Sequence, residues 1–256
     1  MIEARKNPLL SRMIYALLVR PSVRGGFNRV RMRRGAPLPD APVIWCANHS
    51  SWWDGYLVMA ANELRFKRDA YVMVEATQIA RYGFFRWVGG FSVDRGDARS
   101  ALESLRYSTD LLGAGSRRAL LIFPQGKIAA NDARPLSFFA GVGHIARNTA
   151  RTTAVCAIVP LALRYEFIGE QKPEAFISAG PPMLVEAGAQ PKAVAAEAEA
   201  ALTRELDQLR EDVVGYRFDS FDDILTGTLS INRLWDRVRG KTQIREVGAE
   251  KEMPSL

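Results

Sequence analysis

A chain of 256 residues that is 48% hydrophobic and 25% charged has enough apolar material for one globular domain with a substantial core. No uninterrupted apolar run approaches the roughly 20 residues that span a bilayer, and no secretory signal is expected, because Arg12 interrupts the only candidate stretch, Pro8-Leu9-Leu10-Ser11. The formal charge of +7 is carried by residues 1–40, where nine basic residues (Arg5, Lys6, Arg12, Arg20, Arg24, Arg29, Arg31, Arg33, Arg34) face only Glu3 and Asp40; such an arm suits an anionic membrane surface, an anionic substrate or nucleic acid.

In chain order, Leu9, Leu10, Met13, Ile14, Leu17 and Leu18 recur at helical spacing with Arg12 and Arg20 beside them. That pattern fits an amphipathic helix in a membrane interface and equally a helix packed on a core. Nucleic acid is not expected: there is no recognition motif, and aromatics do not interleave with the basic run. Asn28–Arg34 alternates Val30 and Met32 with arginines, which predicts an edge strand. Gly35–Pro42 reads as a loop and Val43–Cys46 as a buried strand, followed by a helix from about Trp53 to Leu64.

Strands are predicted at Ala70–Val74, Phe91–Val93, Ala119–Phe123, Ala154–Leu163 and Ala175–Ser178. Short helical pieces are predicted within Gln78–Val88 and helices at Ala98–Leu112, Gly143–Thr149 and, through Val194, Ala198, Leu202, Leu206, Leu209 and Val213, near the end. Alternating strands and helices predict an α/β domain with a mixed, mainly parallel sheet flanked by helices, plus the N-terminal amphipathic helix. Ile231, Leu234, Trp235 and Val238 mark a further amphipathic segment, and a polar tail begins at Lys241. The expected organisation is a basic, membrane-associating segment over 1–40, a domain over 41–240 and a flexible tail over 241–256. Cys46 and Cys156 lie in apolar runs and read as buried free thiols, and two histidines with two distant cysteines make no metal site.

The best candidate for chemistry is Asn48-His49-Ser50-Ser51-Trp52-Trp53-Asp54, directly after the apolar Val43–Cys46 run. A histidine can take a proton from a hydroxyl, and a carboxylate on its other ring nitrogen would fix the tautomer. Residues five apart on one helix point some 140° apart. The pair therefore works with His49 on the turn and Asp54 in the first helical turn. On its own the spacing also fits a plain helix start, with Ser50, Ser51 or Asp54 as cap and His49 as a loop residue.

Three further motifs follow in order: Gly90-Phe91-Ser92-Val93-Asp94-Arg95, Phe123-Pro124-Gln125-Gly126 and Ile158-Val159-Pro160-Leu161. Each sits on or at the end of a predicted strand. The ordered set, over about Val43 to Leu163, resembles the glycerolipid acyltransferase family, whose best-known members acylate glycerol-3-phosphate and lysophosphatidic acid. The resemblance implies transfer of an acyl group from a thioester, on coenzyme A or acyl carrier protein, to a hydroxyl. His49 would be the general base and Asp54 its orienting partner. Arg95 would meet the acceptor's phosphate, as a guanidinium suits phosphate oxygens; an ion pair with Asp94 or Asp97 is the structural alternative. Gly126 would let backbone N–H groups approach the oxyanion, and Pro160 would shape the sheet edge or acyl groove.

The chain departs from the family at Gln125, where glutamate is usual, and at Lys127-Ile128, where a Thr-Arg or Thr-Ser pair is common. Lys127 keeps a cation for phosphate, while Gln125 opens acceptor identity, so lysophosphatidic acid is the default and a phosphate-free lipid alcohol, such as a glycosylated carotenoid, the alternative. Trp52, Trp53, Phe84, Phe85 and Trp87 flank the motifs as candidates for an acyl groove or for core. His144 reads as structural. The expectation is a peripheral enzyme on the cytoplasmic membrane face, with coenzyme A or acyl carrier protein thioester and lipid acceptor as partners and no resident metal or cofactor. A thioester hydrolase using the same site is one rival; no Gly-x-Ser-x-Gly elbow supports a covalent serine hydrolase. A non-enzymatic lipid- or nucleic-acid-binding protein is the other.

Overall fold

The computed structural model describes residues 1–35, 37–94 and 96–228; Arg95, the Ile231–Val238 segment and the tail from Lys241 lie outside them. The first helix, α1 (Pro8–Ile14), starts at Asn7, whose side chain accepts from the Leu9 and Leu10 amides, with Pro8 at the position where a missing N–H costs nothing. It passes through a π-helical turn at Tyr15–Val19 into α2 (Arg20–Gly26). Ser11, Val19 and Val23 face inward, while Leu9, Met13, Leu17 and Leu18 stay exposed. The predicted amphipathic helix is therefore present, with its apolar residues divided between core and surface.

Nine strands among the described residues form one mixed sheet. They are β1 (Arg29–Arg33), β2 (Val43–Ala47), β3 (Asp69–Glu75), β4 (Gly90–Val93), β5 (Arg118–Ile122), β6 (Val155–Glu166), β7 (Glu174–Ala179), β8 (Met183–Glu186) and β9 (Phe221–Thr226). Their order is β4-β3-β5-β2-β6-β7-β1-β9, with β8 also on β6. The β4, β3, β5, β2 and β6 pairings are parallel, as is β1 with β7, while β6 meets β7 and β8 antiparallel and β1 meets β9 antiparallel. The expected α/β class is what the chain adopts.

Side-chain alternation explains the layers. On β2, Val43, Trp45 and Ala47 pack with Val19, Val23, Tyr56 and Leu57 of the N-terminal helix and α3 (Asp54–Ala61). Ile44 and Cys46 point the other way, toward Leu112 of α5 (Ala98–Gly113), Ile145 of α6 (Gly141–Thr153) and Val194 of α7 (Pro191–Val214). A short α4 (Ala76–Arg81) and a 3₁₀ stretch at Gly83–Val88 connect β3 to β4. Cys46 and Cys156 are buried free thiols.

Two expectations are corrected. β1 is not an edge strand: β7 and β9 flank it, and its arginines are paired from both sides. Arg31 meets Glu174 at 2.7 Å, Arg29 meets Asp223 at 3.1 Å, and Arg33 meets Asp212 and Glu205. The alternating arginines mark a sheet face clothed by acids from distant sequence, not a solvent edge. Pro160 likewise sits inside a central strand. It lies where β7 gives way to β8, with its carbonyl accepting from Gly180 N–H at 2.9 Å. β8, only four residues long, and β9, with two aspartates in six residues, have no counterpart among the predicted strands.

Candidate active site

The C-terminal ends of β2, β3, β4, β5 and β6 lie along one side of the sheet, where open α/β folds place their sites. The motifs after β2 and β5, which are neighbouring strands, meet there. Asn48 makes the exit from β2 rigid: buried, it accepts from Leu163 N–H at 2.8 Å and donates to the Leu163 carbonyl at 2.9 Å. This double bond to β6 fixes where His49 begins.

His49 sits on the turn and Asp54 opens α3, the arrangement the spacing required. His49 Nδ1 lies 2.6 Å from Asp54 Oδ2. The same oxygen accepts from the Ser50 and Ser51 amides at 2.8 and 2.9 Å, and the other, Oδ1, accepts from the Tyr165 hydroxyl. Asp54 is 0% exposed, and its carboxylate accepts from these four donors among the described residues. Four donors on two oxygens suit a carboxylate that only accepts. His49 Nδ1 is then the donor, and Nε2 carries the lone pair. Ser51 Oγ accepts from Trp53 N–H at 3.2 Å in the turn that precedes α3, and no side chain of the run caps the helix, whose N-cap is Trp53.

The loop after β5 wraps His49 from the other side. Phe123 stacks on the imidazole with ring centroids 4.3 Å apart. Gln125, only 7% exposed, accepts the His49 amide on Oε1 at 2.8 Å. Gly126 has φ +66°, the left-handed region that glycine enters without strain, and its amide closes the turn onto the Phe123 carbonyl at 3.0 Å. Ala129 N–H then donates to the His49 carbonyl at 2.8 Å, which lays residues 126–129 alongside the histidine. Gly126's own N–H is thus committed to the turn; the glycine shapes the loop rather than donating. Lys127 is exposed on this loop.

The structure therefore brings together His49, Asp54, Gln125 and Gly126, with Lys127 on the same loop, and Arg95 falls outside the described residues. Trp53 packs edge-on against Phe27 at 5.1 Å, a structural role, while Trp52 is 60% exposed beside it. Phe84 and Phe85 stack at 4.6 Å in the 3₁₀ stretch. His144 is a partly exposed residue of α6. A cavity of about 390 Å³ opens beside Ser92, Asp94, Asp97 and Glu103. It lies at β4, three strands and about 14 Å from β2, and Arg99 and Met1 share its lining with the acids. Among the described residues no cluster could hold a metal ion.

The model of the family described as Acyltransferase matches residues 29–164, more than half the chain. The chain is a member of that acyltransferase family. The match spans β1 to β6 and so contains His49, Asp54, Gln125, Gly126 and Lys127. No curated protein matches the sequence. Among solved structures, the crystal structure of the 1-acyl-sn-glycerophosphate (LPA) acyltransferase PlsC from Thermotoga maritima is similar in fold. Its TM-score is 0.54 at 16% identity, covering 79% of this chain and 77% of that one. The acyltransferase has one site feature that sequence reasoning missed, the Tyr165 hydroxyl on Asp54. Tyr165 stands one residue past the family match, and an aromatic closing a buried strand carried no sign of what it would touch.

Proposed function

We propose that this acyltransferase moves a fatty acyl group from a coenzyme A or acyl carrier protein thioester to a lipid hydroxyl, with lysophosphatidic acid as the acceptor. The observation that carries the reading is the His49–Asp54 contact at 2.6 Å, on a buried carboxylate that also accepts from the Ser50 and Ser51 amides and the Tyr165 hydroxyl. His49 Nε2 takes the acceptor's hydroxyl proton as the oxygen attacks the thioester carbonyl. A tetrahedral oxyanion forms and collapses, the C–S bond breaks, and the imidazolium returns the proton to the departing thiolate. General-base assistance of this kind is worth roughly 10²–10⁴ in rate. The reaction as written needs neither metal nor resident cofactor.

The Gln125 departure bears on the acceptor. Its side-chain oxygen accepts a backbone N–H, a task glutamine performs as well as glutamate. The substitution is therefore compatible with an unchanged acceptor. Lys127 and Arg95 would supply cations for its phosphate, and the structurally similar protein from Thermotoga maritima is itself an LPA acyltransferase. Exposed Leu9, Met13, Leu17 and Leu18, flanked by Arg12 and Arg20, support docking on an anionic membrane surface from the cytoplasmic side. Trp87, half exposed, adjoins α1, with its carbonyl accepting from Ser11 Oγ and Asn7 N–H. Among the described residues no helix is long and apolar enough to cross a membrane.

The test is thiol release from acyl-coenzyme A or acyl carrier protein, with lysophosphatidic acid and a phosphate-free lipid alcohol supplied in parallel and His49→Ala as control. Turnover with lysophosphatidic acid that the variant loses supports the proposal. Turnover only with the alcohol overturns the acceptor, and equal thiol release without any acceptor makes the protein a hydrolase.

A further inference from the structure

Asp54 is loaded unevenly. Oδ2 receives three donors, from His49 Nδ1 and the Ser50 and Ser51 amides, whereas Oδ1 receives only the Tyr165 hydroxyl. A carboxylate turns about its Cβ–Cγ bond, so contacts gathered on one oxygen leave the group free to rock. A partner on the second oxygen stops that motion and spreads the negative charge over both.

Tyr165 is placed to be that partner. It lies at the C-terminal end of β6, paired with Ala175 of β7. Its ring stacks on Phe27 at 5.7 Å, and Phe27 abuts Trp53 at 5.1 Å. The Asn131 side-chain amide donates to its carbonyl at 3.3 Å, which joins it to the loop that wraps His49. Burial, and then the charge of Asp54, push its phenol well above the ordinary range, so the hydroxyl remains a donor at any working pH.

We infer that Tyr165 is a positioning residue for acyl transfer: its hydroxyl pins the free oxygen of Asp54 and so sets the direction and strength of the Asp54–His49 hydrogen bond. The inference rests on the proposed role of His49. It predicts a definite electrostatic consequence. Without the hydroxyl, Asp54 Oδ1 is a buried anionic oxygen with no partner, the carboxylate becomes a stronger acceptor, and the bond to His49 tightens while its angle loosens.

Tyr165→Phe keeps the ring against Phe27 and removes only the hydroxyl. The expected result is a fall in kcat of about tenfold with KM unchanged within about twofold, and an acid limb of kcat/KM displaced to higher pH. In an Asp54→Asn background the same change is expected to cost less than about twofold, because the charge it acts through is gone. A wild-type kcat and pH profile in Tyr165→Phe, or equal losses in both backgrounds, would overturn the inference. Proton NMR reads it independently of turnover, since the chain has only His49 and His144 and a His49→Ala spectrum assigns the two. The His49 Nδ1 proton is expected to move downfield in Tyr165→Phe while the His144 resonances stay in place. An unmoved His49 signal would overturn the positioning role even if the acyl-transfer reading fails, and that reading is judged separately by wild type against His49→Ala.

Discussion

Replacing Asp54 by asparagine separates its charge from its shape. The amide oxygen can keep the three donors on the Oδ2 side, namely His49 Nδ1 and the Ser50 and Ser51 amides. The NH₂ group then faces Tyr165, whose hydroxyl can turn and accept. The histidine tautomer and the helix start therefore survive. What is lost is the negative charge beside the imidazolium that forms as the acceptor is deprotonated. Two unit charges about 4 Å apart interact by about 4 kcal/mol at an effective dielectric of 20, which corresponds to roughly 10³ in rate. Thiol release by Asp54→Asn at saturating substrates is thus expected at about a thousandth of wild type, with KM little changed. Thermal unfolding should show a destabilisation of only about 1–2 kcal/mol as charged hydrogen bonds become neutral ones. Activity within threefold of wild type would refute the argument that Asp54 acts through its charge. A collapse of stability would refute the claim that the amide fits.

Other consequences follow from burial and exposure. Gln125→Glu retains an acceptor for the His49 amide and is expected to leave stability within about 1 kcal/mol, whereas Gln125→Leu orphans that N–H at a cost of about 1–3 kcal/mol and lowers kcat; equal urea midpoints for the two would refute the role. Burial pushes the Cys156 thiol up to about 12 and Cys46 higher still, the latter also through its neighbour Cys156. The unfolded chain therefore releases these protons first, so stability is lost as pH rises above the unfolded value of 9.0. Between pH 8 and 10 the two thiols together cost about 2–3 kcal/mol, and a Cys46→Ala, Cys156→Ala variant should lose that much less in urea titrations; an identical loss would show the thiols are not protected. Leu17 is 74% exposed, so Leu17→Glu should leave the melting temperature unchanged yet weaken sedimentation with anionic vesicles at least tenfold, since burying one leucine is worth about 1.5–3 kcal/mol. Undiminished vesicle binding would remove that face from the docking surface.

The elements with strong internal periodicity were legible, and those defined by partners were not. The run Val43–Cys46 and the long stretch Ala154–Leu163 are apolar throughout, as strands covered on both faces must be, and both occupy the middle of the sheet. β1 shows the opposite case. Its alternation of arginine with Val30 and Met32 assigns the two faces, yet its position in the sheet depends on β9. Phe221–Thr226 contains two aspartates in six residues and reads as surface. Those acids are what the arginines need: Asp223 meets Arg29 and Arg31, and Asp222 meets Arg34. The basic excess over 1–40 is accordingly smaller in the folded chain than in the sequence. Arg12 and Arg20, which carry no ion pair among the described residues, remain available to an anionic surface.

The candidate site divides along the same line. The histidine and aspartate announced themselves because proton transfer needs those side chains, and because a five-residue spacing fits a turn followed by a helix start. Gln125 was legible as a motif position and not as a hydrogen bond to the His49 amide, since that contact joins the ends of two strands 76 residues apart. Tyr165 was illegible for a stronger reason. It lies 111 residues from Asp54 and enters the site only because β6 runs parallel to β2 and continues past its end, from Leu161 opposite Ala47 to Glu166. The strand that supplies Leu163 to Asn48 supplies, two residues on and on the same face, the hydroxyl that completes Asp54. One register between β2 and β6 thus sets both where His49 stands and how its carboxylate is held. A shift of one residue would turn Tyr165 to the opposite layer and leave Oδ1 of Asp54 empty. The double hydrogen bond of Asn48 to Leu163 guards that register. The precision of the His49–Asp54 pair is therefore a property of the sheet as much as of the motif.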